Sequence, residues 1–257
     1  MATPSAPVDY LWYMCCFYLK FNGEYYFLVY LIYSKESMNA YFISGLGADE
    51  QMFLKTKLPK GFVIHHLAWL RPSKGETFPA YAERLAEKID QRQPFILVGL
   101  SLGGMMAIEM NKFLKPAYTI LISSVTNRKG LPFWFKLASL TGIYKIVPDY
   151  FYHHRNFITA WLLGAVSKED KDLLSHVMLK ADPVFVKWAV PRILKWDNHF
   201  IPENMQHLHG TADVILPYRP NKRTLPVKNG THFMVYNRYM EVNQLLAKVL
   251  DGAQIDA

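Results

Sequence analysis

The sequence predicts an α/β protein with a mostly parallel, doubly wound sheet, and three observations carry the prediction. Short apolar runs at Tyr41–Ser44, Phe62–Leu67, Phe95–Val98 and Tyr118–Ile122 are separated by turn or helical segments, so strand and helix alternate. The run Phe95-Ile96-Leu97-Val98 has no polar residue in alternation, as a strand covered on both faces requires. The alternation stops near Asn127 and returns at His207-Leu208-His209-Gly210, leaving about 127–200 as an insertion of helices rich in aromatic residues.

The first strand ends in Gly45-Leu46-Gly47-Ala48-Asp49, a turn, and the second closes at Arg71-Pro72-Ser73-Lys74-Gly75. Between Phe78 and Gln91, Phe78, Tyr81, Ala82, Leu85 and Ile89 recur three and four apart among charged residues, which predicts an amphipathic helix ended by Pro94. In the insertion, Ser167 precedes Lys168-Glu169-Asp170 as an N-cap, and Asp182-Pro183 opens another helix with Asp as cap and Pro at its first position. A last helix, about Tyr239 to Leu250, places Val242, Leu245, Leu246 and Val249 on one face.

Residues 1–37 stand apart. Two aromatic-rich runs, Tyr10–Leu19 and Tyr25–Tyr33, flank Asn22-Gly23 and read as a β-hairpin with a type I′ turn. Each is about half the length a membrane-crossing helix needs, and no basic segment precedes them as in a secretory signal. Met38-Asn39-Ala40-Tyr41-Phe42-Ile43 also reads as a natural opening, which would make 1–37 an extension from a misplaced start. The expected organisation is therefore an extension or hairpin over 1–37 and one domain over 38–257. Membrane contact through residues 10–33 stays open.

With 257 residues, 51% hydrophobic and 19% charged, the chain is globular in composition. Its net charge of +8 is scattered, with Lys222-Arg223 the tightest cluster, and lacks nucleic-acid motif spacing. The two cysteines, Cys15 and Cys16, are adjacent and cannot form a disulfide framework, which fits a reducing, cytoplasmic setting. The pairs His65-His66 and His153-His154 lack metal-ligand spacing, so no metal is expected.

The chemistry concentrates downstream of the third strand. Gly99-Leu100-Ser101-Leu102-Gly103 matches the nucleophile-elbow pattern, weak alone but specific between a buried strand and a helix. So sharp a reversal strains the serine backbone and crowds the positions two residues either side, which must be glycine. Serine needs a base, and the base an orienting acid. Asp213, in the turn His209-Gly210-Thr211-Ala212-Asp213, supplies the acid, and His232, in Asn229-Gly230-Thr231-His232-Phe233, the base. Asp197, His199 and His207 sit less well. Two backbone amides should receive the oxyanion: Leu102, following the nucleophile, and Leu46, where Gly45 lets the chain approach the substrate.

Taken together and in order, these motifs resemble the α/β-hydrolase superfamily over about residues 39–257, and in particular its small capped carboxylesterases. The resemblance implies a helical cap inserted after the strand ending near Ser123, matching the break at about 127–200. One departure is Ser44-Gly45 where many relatives carry His-Gly, which alters the polar setting of the oxyanion loop. A serine elbow disfavours the branches that use an aspartate nucleophile. The expected function is hydrolysis of a small carboxylic ester or thioester through an acyl-enzyme, without a cofactor. Alternatives on the same scaffold are a carbon–carbon hydrolase, a lyase, a perhydrolase, or a regulator that keeps the triad and acts through a protein partner. Phe133, Trp134, Phe135, Phe157, Trp161, Trp188 and Trp196 would lie in the cap and either line an acyl pocket or pack. Met105-Met106 should pack beneath the site. Arg128, Lys129 and Lys136, near the cap entrance, either favour an acidic acyl group or are ordinary exposed basic residues.

Overall fold

The computed structural model describes residues 12–21, 24–33, 37–145 and 157–252. Two strands, β1 (Trp12–Phe21) and β2 (Glu24–Tyr33), pair antiparallel with Phe21 opposite Glu24, in a sheet of their own. This is the strand arrangement expected of a hairpin; the Asn22-Gly23 link and the segment before Trp12 lie outside the described residues.

The main sheet contains β3 (Met38–Ile43), β4 (Phe62–His66), β5 (Phe95–Leu100), β6 (Tyr118–Ile122), β7 (Met205–Gly210) and β8 (Thr224–Val227), in spatial order β4-β3-β5-β6-β7-β8. Every pairing is parallel. Strand residues alternate between two apolar layers. Tyr41, Ile43, Leu97 and Leu121 join the core under helices α1 (Phe78–Ala86) and α2 (Leu102–Met110). Ala40, Phe42, Ile96, Val98, Ile120 and Leu208 face the other way, toward α7 (Tyr239–Gly252) with its Val242, Leu246 and Val249. All six residues of β5 are buried, as its unbroken apolar run requires.

Two elements depart from expectation. The helix from Phe78 stops at Ala86, before Gln91. Its start is capped by Thr77 Oγ1, which accepts from the Ala80 amide. At its end Lys88 and Ile89 form tight turns, and the Asp90 amide donates to Tyr41 Oη at 2.9 Å instead of to a helix carbonyl. The second departure is β8, which has no counterpart among the expected strands. It is four residues long and contains Pro226, opposite His209 of β7. Proline is tolerated there because β8 is the sheet's edge.

Between β6 and β7 the insertion forms α3 (Phe133–Thr141), α4 (Phe157–Leu163), α5 (Lys168–Lys180) and α6 (Pro183–Leu194). Ser167 and Asp170 make a reciprocal capping box at α5, and Asp182 Oδ1 accepts from the Val184 amide at α6, as the sequence indicates. The carbonyl of Glu76, just before α1, accepts from Trp188 Nε1 and Arg192 Nε, each at 2.9 Å. These bonds tie α6 to the body of the domain.

Candidate active site

Ser101 sits between β5 and α2 with φ 53° and ψ −114°, a region that non-glycine residues avoid. Such strain costs about 1–3 kcal/mol and persists only where the surroundings enforce it. The Ser101 amide donates to the Ile122 carbonyl at 2.9 Å, and its own carbonyl accepts from Ser124 Oγ at 2.7 Å. A Cβ at Gly99 would stand 2.4 Å from the Gly103 carbonyl oxygen, and one at Gly103 only 2.1 Å from that of Ile43. Both glycines are thus sterically required.

His232 Nε2 lies 2.9 Å from Ser101 Oγ, and His232 Nδ1 lies 2.8 Å from Asp213 Oδ2. A carboxylate only accepts, so the proton of the neutral imidazole resides on Nδ1 and Nε2 is left to accept from the serine hydroxyl. Asp213 Oδ1 accepts from the amides of Ile215 and Leu216, each at 2.9 Å. Burial works against ionising this carboxyl, but it is outweighed by attraction to His232 and by hydrogen bonds from His209, His232 and the Leu216 amide. The net effect holds Asp213 well below the usual carboxylate range.

Two buried histidines stand behind Asp213. His209 Nε2 donates to the Leu216 carbonyl at 2.6 Å and stands 3.4 Å from Asp213 Oδ2; its Nδ1 meets His207 Nε2 at 2.9 Å. His207 Nε2 also receives the Ser124 amide at 3.3 Å. Burial pushes the His207 imidazole down to about 3, helped by His209 and opposed by Asp213, so His207 is neutral at ordinary pH. The alternation His207-Leu208-His209 on a strand places both imidazoles on one face, which is the signal the sequence carried.

The oxyanion candidates belong to two segments that meet at the serine, the Gly45–Ala48 turn and the start of α2. Gly45-Leu46-Gly47-Ala48 closes a turn in which the Ala48 amide donates to the Gly45 carbonyl at 3.1 Å, and Trp69 Nε1 donates to the same oxygen at 3.0 Å. Ser44 donates from Oγ to the Ala48 carbonyl at 2.5 Å and so pins the loop. Gly45 abuts the elbow, since a Cβ there would be 3.6 Å from Ser101 Cβ. Leu46 and Leu102 both line the cavity that opens over Ser101 and His232.

That cavity measures about 330 Å³. Among the described residues, Ser101 and His232 are the only lining residues with hydrogen-bonding side chains; the walls include Met52, Met105, Leu174, Val177, Met178 and Val186. Of the cap aromatics, Phe135 lines it. Trp188 packs on Tyr81 with ring centres 4.4 Å apart, Trp196 donates to the buried Glu109, and Phe133 and Trp161 are exposed. The side chain of Phe157 and the pair His153-His154 lie outside the described residues. Met105 reaches the cavity, whereas Met106 packs in the core. Asp197 is exposed and held by Arg128, with His199 3.2 Å away. His65 bonds Asn39 and stacks on Tyr41.

A parallel six-stranded sheet flanked by helices, a helical insertion after its fourth strand in sequence, and a strained serine at a strand-to-helix turn together define the α/β-hydrolase fold. Solved structures of that fold superpose on the chain. A hydrolase from Oleispira antarctica does so with a TM-score of 0.64 and 13% identity, over 85% of this chain and 91% of that one. A thermophilic esterase from Thermogutta terrifontis gives 0.60 and 16%, over 85% and 91%. A thioesterase domain from the curacin biosynthetic pathway gives 0.53 and 15%, over 91% and 99%. No family model matches the sequence, and no curated protein does. Among the described residues, no group of three or more His, Cys, Asp or Glu is placed to hold a metal ion, and no helix is long and apolar enough to cross a membrane.

Proposed function

We propose that the chain is a serine hydrolase that cleaves the ester or thioester of an uncharged aliphatic acyl group through an acyl-enzyme. The observation that carries this reading is the unbroken relay from Ser101 Oγ through His232 to Asp213, at 2.9 and 2.8 Å. Ser101 Oγ attacks the acyl carbon as His232 Nε2 takes its proton. The carbonyl oxygen gains negative charge facing the amides of Leu46 and Leu102, and collapse expels the alcohol or thiol, which receives the proton from His232. Water then enters, gives a proton to His232, and attacks the acyl-serine; collapse releases the acid and returns the proton to Ser101. Asp213 keeps Nδ1 protonated and offsets the imidazolium charge. Ester and thioester hydrolysis among proteins of similar fold accords with this chemistry.

The acyl class follows from the walls. Among the described residues no charged side chain lines the cavity, and Arg128, Lys129 and Lys136 are not in its walls, so an acidic acyl group would be desolvated there without a partner. An aliphatic chain loses nothing there. Each buried methylene is worth about 0.8 kcal/mol, or roughly fourfold in kcat/KM.

The test is labelling with a fluorophosphonate probe, together with hydrolysis of p-nitrophenyl esters of increasing chain length. Expected are rapid labelling that is lost in Ser101→Ala and His232→Ala, and kcat/KM rising with chain length until the cavity is full. Folded protein that takes no label, or that prefers a dicarboxylic half-ester, overturns the proposal.

A further inference from the structure

Helix α3 is turned outside in. Its sequence, Phe133-Trp134-Phe135-Lys136-Leu137-Ala138-Ser139-Leu140-Thr141, is dominated by large apolar residues, yet none is buried. Phe133 is 74% exposed, Leu137 55%, Leu140 76% and Trp134 39%. At 3.6 residues per turn these four share an arc of about 120°. Ile143, just beyond the helix and 56% exposed, adds to the exposed apolar side chains. The partly covered positions include the small residues Ala138 and Ser139, together with Phe135, which lines the acyl cavity. A surface helix of a water-soluble body ordinarily presents the opposite face. Helix α4 repeats the arrangement: Leu162 and Leu163 line the cavity while Trp161 is 63% exposed.

The charged residues of the segment that carries this face are all basic. From Asn127 to Lys145 the sequence holds Arg128, Lys129, Lys136 and Lys145 and no acidic residue. Arg128 is engaged by Asp197, whereas none of the three lysines forms a salt bridge among the described residues. Exposed Phe, Trp and Leu flanked by lysine is the chemistry of a segment that lies in the plane of a lipid surface, its rings at headgroup depth and its cations against anionic lipid. A second copy of the chain fits less well, because a symmetric contact would set these lysines against their own kind.

We propose that the exposed face of α3 docks the protein on an anionic lipid bilayer, with the mouth of the acyl cavity beside the contact. The further step, that the bilayer supplies the acyl substrate, rests on the hydrolase reading above; the docking itself does not.

The experiment uses the full-length Ser101→Ala protein, so that binding is read without turnover. It is sedimented with vesicles of phosphatidylcholine alone and of phosphatidylcholine mixed with phosphatidylglycerol. Expected is binding to the anionic vesicles that weakens with added salt. The triple variant Phe133→Gln, Leu137→Gln, Leu140→Gln, whose sites are all solvent-exposed, should melt within a few degrees of its parent and lose about tenfold or more in vesicle partitioning. Three results would overturn the proposal. One is absence of binding to anionic vesicles. Another is undiminished binding by the triple variant, which moves the contact elsewhere, residues 10–33 included. The last is a concentration-dependent dimer, seen by sedimentation velocity without vesicles, that the triple variant abolishes.

Discussion

Gly103 rests against the carbonyl of Ile43 so closely that a methyl group on it would lie 2.1 Å from that oxygen. The first turn of α2 is thus seated on the end of β3, and the elbow and the loop that begins at Ser44 are fixed relative to each other by backbone. Gly103→Ala should therefore cost at least about 3 kcal/mol, beyond ordinary overpacking, because the obstructing atom is main chain. Gly61→Ala provides the contrast: no atom lies within 4 Å of its Cβ position, and its φ of +94° leaves only backbone strain of about 1–2 kcal/mol. Urea denaturation of the two variants checks the order, and a Gly103→Ala protein as stable as the parent would contradict it.

The acid of the relay can be separated from its rival. Asp213→Asn should lower kcat by about 10⁴-fold, since the amide can present its NH₂ to Nδ1 and favour the wrong tautomer. Asp197→Asn should leave hydrolysis within about twofold, because Asp197 is exposed and held by Arg128. The assay is steady-state hydrolysis of one ester by both proteins at equal concentration.

Acid should destabilise the fold in two stages. The folded-state pKa of His207 lies below its ordinary value of 6.5, at about 3, so between those values the unfolded chain binds more protons and stability falls as pH falls. Asp213 is lowered as well, so its contribution is present above the ordinary carboxylate range and is lost at more acid pH. His207→Gln, whose amide oxygen can still accept from Ser124, should flatten the upper stage and leave the lower one. The predicted difference, on the order of a few kcal/mol between pH 6.5 and 4, is read from melting temperature against pH. Parallel curves for parent and variant would be the contrary result.

Chain-length preference should be adjustable from the cap. Met178, on α5, is a cavity wall, and Met178→Trp fills part of the 330 Å³. The ratio of octanoate to acetate ester hydrolysis should fall by about tenfold or more, the equivalent of excluding two methylenes. Equal losses on both esters would mean that Met178 is remote from the acyl chain.

Much of this arrangement was legible in the residues, for reasons that differ by element. β5 announces itself because a strand covered on both faces is continuously apolar, and β6 departs from that pattern only at Thr119. Ser101, Asp213 and His232 stand out in the sequence because each sits in a turn rich in glycine, and at Gly99, Gly103 and Gly210 close backbone approach requires it. β8 was not readable: four residues with a proline give no periodicity, and only pairing to β7 makes them a strand. The end of α1 was misplaced because the Tyr41 hydroxyl, 49 residues away in sequence, takes the Asp90 amide. The cap aromatics were the least legible. Hydrophobicity alone does not distinguish Trp188, packed on Tyr81, from Phe133, which faces solvent.

Pro226 has a consequence for how molecules of this protein meet one another. The carbonyls of Arg223 and Val227 accept from His207 and Thr211, so by alternation the nitrogen of Pro226 points away from β7. That outer rim of the sheet lacks a donor where another chain would need one. Concentrated protein should therefore resist stacking rim to rim into fibrils on this side, a safeguard supplied by one imino acid in a strand of four residues.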